Sequence, residues 1–139
     1  MAMADEWFMV DALGKMLGDA VVRTSGAIES KAEARLKGAQ TVIECPGKTA
    51  PVKIRLSLVT VGGVPISGVS GEVLNPIYQQ LARRSPGVVM ITHANGASGY
   101  IPHDDAFREG GYEPTTSRLQ PGCAERAVVN GIVELIGRK

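Results

Sequence analysis

Glu72, His93 and Tyr112 each stand just beyond a glycine or an apolar run, the setting in which a rigid base holds a side chain out on a loop. Glu72 directly follows Gly71, Tyr112 follows Gly110-Gly111, and His93, Asn95 and Ser98 follow the run Val88 to Thr92. A carboxylate and an imidazole can ligate zinc or exchange protons near neutral pH. A second histidine, His103, lies further along the same stretch. Each of these residues also has a plain structural role open to it. Glu72 can serve the helix that begins at Pro76, whose N-terminus favours negative charge. His93 and His103 can be hydrogen-bonded structural or surface histidines, and Tyr112 an aromatic anchor for an irregular loop.

Complete catalytic motifs are missing. There is no Gly-x-x-x-x-Gly-Lys-Ser/Thr and no Gly-x-Gly-x-x-Gly after a strand, so the sequence gives nucleotide binding no support. Gly68-Val69-Ser70-Gly71 misses the Gly-x-Ser-x-Gly spacing by one residue. His93 and His103 form neither HExxH nor HxH.

The elements that must position these residues follow from periodicity. Between Asp11 and Ser30, Leu13, Met16, Leu17, Ala20 and Val21 recur at helical spacing, with Lys15, Asp19 and Arg23 on the other face, which predicts an amphipathic helix over Asp11 to Ala27. Ala32 to Cys45 turns toward strand chemistry before Pro46-Gly47. In Val52 to Leu58, Val52, Ile54, Leu56 and Leu58 alternate with Lys53, Arg55 and Ser57, a strand with one buried and one wet face. Gly62-Gly63 and Val64 to Val69 complete a hairpin. Asn75-Pro76 reads as an N-cap and first helical residue, opening a helix over Pro76 to Arg84 that stops at Ser85-Pro86-Gly87. The continuous apolar run Val88 to Thr92 predicts a central strand buried on both faces. A loop from Asn95 to Gly99, a short helix around Asp104 to Arg108, an irregular stretch from Gly110 to Pro121 and a helix from Ala124 to Ile136 complete the chain. This mixture predicts an α/β or α+β fold, a mixed sheet with helices packed on it, in which sites tend to sit beyond the strand ends.

The 139 residues match one domain, and an apolar fraction of 44% with 21% charged residues suits a packed core. Fifteen Lys and Arg against fourteen Asp and Glu give a net charge of +1, which offers no field for nucleic acid or acidic membranes. No apolar run approaches the ~18 residues of a membrane span. Met1 to Val10 carries Asp5 and Glu6 where a secretory leader would be basic, and no apolar segment of the required kind follows. Cys45 and Cys123 show no CxxC spacing and are expected to be buried free thiols.

Four blocks change the functional balance when taken in order: Ser67-Gly68-Val69-Ser70-Gly71-Glu72; Ala94-Asn95-Gly96 with Gly99-Tyr100-Ile101-Pro102; Glu109-Gly110-Gly111-Tyr112-Glu113; and Leu119-Gln120-Pro121-Gly122-Cys123-Ala124-Glu125. With these blocks the chain resembles, over nearly its whole length, the C-terminal part of the neutral/alkaline, non-lysosomal ceramidase-like proteins. The resemblance implies a zinc-dependent amidohydrolase that cleaves the N-acyl bond of ceramide to a fatty acid and sphingosine. Its metal is held by two histidines, a glutamate and a tyrosine, and a serine completes the site. Matched by motif, Glu72 is the glutamate ligand, and Tyr112 is the tyrosine, both metal ligand and catalytic phenol.

The family's histidines and serine belong to its N-terminal portion, which has no counterpart here, and His93 and His103 lie outside the family's histidine motifs. The resemblance therefore implies a piece of an enzyme, inactive alone and without zinc of its own, whose parent acts on a ceramide-like lipid amide. Members of the family are often exported. Surface meant for the N-terminal portion would favour self-association into a homo-oligomer. A stand-alone, non-catalytic α/β binding or assembly module is the competing expectation. If the parent geometry is kept, Glu72 and Tyr112 should meet at one rim of the sheet.

Overall fold

The computed structural model describes residues 3–30 and 32–138. The chain divides into two compact units, Met1–Glu33 and Ala34–Lys139. In the first unit a single helix, α1 (Met3–Gly26), begins well before Asp11. Trp7, Phe8, Leu13, Met16, Leu17 and Val21 are all exposed on it, so its apolar periodicity does not correspond to a buried face.

The second unit holds β1 (Leu36–Cys45), β2 (Val52–Val61), β3 (Val64–Val69), β4 (Glu72–Val73), α2 (Asn75–Arg84), β5 (Val89–Ile91), β6 (Tyr100–Ile101), α3 (Asp104–Glu109), α4 (Tyr112–Thr116) and α5 (Ala124–Gly137). Its main sheet has four strands in the order β1-β2-β3-β5. β1, β2 and β3 run antiparallel and β5 joins β3 in parallel, which makes the sheet mixed and the fold α/β. Positive φ at Gly62 and Gly63 closes the β2–β3 hairpin, a conformation that only glycine adopts freely.

The alternation in β2 sorts the two faces. Val52, Ile54, Leu56 and Leu58 are buried, and they pack with Ile77 and Leu81 of α2 and Val128, Val129, Ile132 and Leu135 of α5 into one core. Those helix positions recur every three or four residues, as one apolar stripe laid on a sheet requires. Gly131 lets α5 come close: a Cβ there would lie 2.5 Å from Leu56 Cδ1. The opposite face keeps Val42, Val59, Val64, Val89 and Ile91 exposed, with Lys53 and Arg55 among them.

Several expectations are corrected here. Val88 to Thr92 does contain a strand, but β5 is the edge of the sheet and only one of its faces is covered, so Val89 and Ile91 are exposed while Val88 is buried. Cys45 and Cys123 are not free thiols; they form a disulfide with Cα atoms 5.8 Å apart across 78 residues of sequence. The packing of β1 against α5 brings them together, which their sequence spacing does not disclose. Asn75 is the first residue of α2 rather than its cap; the N-cap is Leu74, with no side-chain cap bond. The stretch from Gly110 to Pro121 contains the short helix α4. No helix of the described residues is long and apolar enough to cross a membrane.

Candidate functional site

Where β3 ends, the chain passes through Ser70-Gly71 into β4, and the segment after β5 folds back beside it. His93 N–H donates to the Gly71 carbonyl at 3.1 Å and Ala94 N–H to that of Val69 at 2.9 Å. Glu72 N–H then donates to Gly99 at 2.9 Å and Leu74 N–H to Ile101 at 3.2 Å, fastening the parallel pair β4–β6. Glycine is required for this approach: a Cβ on Gly71 would fall 2.5 Å from the Gly99 oxygen and 2.8 Å from Ile101 Cδ1. A backbone carbonyl cannot give way as a side chain can, so the Gly71-Glu72 pair is set by packing as well as by any chemistry.

Two contacts define the site. His93 Nε2 lies 3.2 Å from Glu72 Oε2, with about half of each side chain open to solvent. His93 reaches that position from a left-handed backbone, φ 54°, which a residue with a Cβ seldom adopts and which the bond to Gly71 helps hold. Tyr100 stands opposite Glu72 in the β4–β6 register, and its ring meets that of Tyr112 edge to face, with centroids 5.8 Å apart and planes at 80°. The carboxylate of Glu72 is the main cause of a raised pKa at the Tyr100 phenol, with smaller contributions from burial, Tyr112 and Glu113. A negative neighbour opposes loss of the phenol proton.

Tyr112 begins α4 directly after Gly111, whose φ of 110° is glycine's own territory. Its side chain is exposed. Ser117, at the other end of α4, donates from Oγ to the Tyr100 carbonyl at 2.8 Å and ties the helix to β6. Glu72 and Tyr112 thus flank one residue, Tyr100, and make no hydrogen bond to each other among the described residues. His103 does not join them; it is the N-cap of α3, and its Nδ1 is buried without a hydrogen-bond partner among the described residues.

Sequence reasoning passed over Tyr100, although it lies in one of the four blocks. Its place depends on the pairing of β4 with β6, a long-range register that no local pattern reports. As an assembly, the group offers a carboxylate in contact with an imidazole, a pair able to take up or pass on a proton, beside two phenols able to donate to an oxyanion.

No protein-family profile, no curated protein and no solved structure matches this chain.

Proposed function

We propose that this chain supplies the carboxylate and phenol part of a ceramidase-like, zinc-dependent amidohydrolase site that cleaves the N-acyl bond of a lipid amide. The observation that carries the reading is that Glu72 and Tyr112, 40 positions apart, both neighbour Tyr100, Glu72 as its partner in the β4–β6 register and Tyr112 edge to face on its ring. Their oxygens are donors that zinc accepts. Among the described residues, however, no group of three His, Cys, Asp or Glu side chains gathers to hold a metal ion. The donors present fit half of the four-ligand set that the resemblance implies, and two protein ligands do not hold zinc against water.

On this reading the chain's own residues perform three tasks. Glu72 and Tyr112 complete a ligand set that another segment begins. His93, hydrogen-bonded to Glu72 Oε2, fixes which carboxylate oxygen stays free. Tyr100, whose ring meets that of Tyr112, presents its O–H as a donor beside the reacting amide.

Co-expression with a ceramidase-like N-terminal portion, assayed by release of fatty acid from a fluorescent ceramide, tests the reading. Activity is expected with the wild-type chain and should fall at least about 100-fold with Glu72→Gln or Tyr112→Phe, as for loss of a metal ligand. If the pair assembles and both variants remain fully active, the carry-over is wrong and a non-catalytic binding module becomes the better account.

A further inference from the structure

On the sheet face turned away from α2 and α5, Lys53 and Arg55 occupy alternate positions of β2, and the 92–99 segment folds over the end of that face. With Arg118 they line a cleft of about 690 Å³, together with Ser70, Asn95 and Ser98. Among the described residues no acidic side chain lines it. Among the described residues none of the three cations makes an ion pair, even though Glu44 lies across from Lys53 in the β1–β2 register.

The inner wall of the cleft is built rather than incidental. Ser70 and Ser98 are buried, with their hydroxyl oxygens 2.7 Å apart. Ser98 Oγ donates to the Lys53 carbonyl at 2.9 Å, so the proton between the two serines belongs to Ser70. Ser70 Oγ in turn accepts the Arg55 N–H at 2.8 Å. This chain of bonds pins the loop to the backbone of both cationic residues on β2. Asn95, held at φ 62°, closes the rim and donates to Ser57 Oγ at 3.4 Å. Three like charges around one cleft repel one another, and an anion seated among them reverses the sign of that interaction. Arginine also matches the oxygens of a tetrahedral anion in bidentate fashion.

We propose that this cleft is a binding site for a phosphate group, free or as a small monoester. None of its residues is a donor in the zinc reading, and the two proposals stand or fall separately. Nitrogen-15 NMR titration of the full chain with inorganic phosphate and with glycerol 3-phosphate, at fixed pH and against chloride of equal ionic strength, provides the test. Saturable shifts centred on Lys53, Arg55, Ser98 and Arg118 are expected. The compound that binds more tightly distinguishes free phosphate from an esterified headgroup. Arg55→Gln and Arg118→Gln should each weaken binding about tenfold or more, as expected for a charge-assisted contact. Lys37→Gln, at the end of β1 remote from Lys53, should leave binding unchanged. Far-UV circular dichroism establishes that the variants remain folded. The proposal is overturned by shifts no larger than those in chloride, by shifts centred elsewhere, or by affinity that survives both arginine substitutions.

Discussion

The two faces of the four-stranded sheet are written by the same alternating residues and end in opposite circumstances. One face meets α2 and α5 and excludes water from Ile54, Leu56 and Val69; the other leaves Val42, Val59, Val64, Val89 and Ile91 exposed and carries a cationic cleft at one end, beside Val42. Apolar side chains occur on both, so hydrophobicity alone does not distinguish them. What differs is whether a helix with a matching stripe lies on top. Stability should therefore reside on the covered face, and recognition on the open one.

The largest expected effect contrasts two positions of one strand. Leu56→Ala removes a fully buried side chain and should cost about 2 to 5 kcal/mol in urea denaturation. Val59→Ala, at 48% exposure, should stay within about 0.5 kcal/mol. Equal costs would mean that the open face is covered in solution, and the contrast between faces would collapse.

A smaller effect sharpens the same contrast with glycines. Gly131→Ala places a Cβ 2.5 Å from Leu56 Cδ1 on the covered face. Overpacking of about 1 to 3 kcal/mol is partly offset by about 1 kcal/mol of helix propensity, leaving a net loss near 1 kcal/mol. Gly38→Ala on β1 meets nothing closer than 3.8 Å and should be neutral or slightly stabilising by the same measurement. A stabilised Gly131→Ala protein would show that the helix–sheet contact is looser than described.

The smallest effect concerns the rim. Glu72 raises the Tyr100 pKa, so in the folded chain this phenol keeps its proton at a pH where it would lose it when unfolded. Its contribution to stability is present below the ordinary tyrosine pKa and is lost as pH rises through the higher folded value. Glu72→Gln should bring that titration down toward the ordinary value, read from tyrosinate absorbance at 295 nm. A tyrosine titration unchanged by Glu72→Gln would separate Glu72 from Tyr100 and remove the basis for the site.

Much of the scaffold was legible because its cause is local. The period-2 alternation of Val52 to Leu58, the Gly62-Gly63 turn and the helical stripe of Ala124 to Ile136 each report their own element. β5 shows where such reasoning stops: an apolar run records that a strand is apolar, not how many layers cover it. Disulfide pairing is likewise hidden, because proximity of Cys45 and Cys123 is a product of tertiary packing. In the site, Glu72 and Tyr112 were singled out by the family resemblance and not by their local pattern, and their common neighbour Tyr100 emerged only with the β4–β6 register. Lys53 and Arg55 were legible only as part of a wet strand face and Arg118 was not singled out at all, since no sequence pattern reveals that they share a cleft.

The disulfide has a topological consequence. Because it joins Cys45 to Cys123, the rim residues Glu72, His93, Tyr100 and Tyr112 and every polar residue lining the cationic cleft lie on a single covalent ring. A protease that cuts once inside this ring, for instance at the exposed Gly110-Gly111 pair, opens the ring without releasing a fragment. The nicked chain would migrate as one species until a reductant is added and as two afterwards. Closure of the ring also limits how far the site residues can separate when the chain unfolds, so they begin each refolding attempt already confined to one loop.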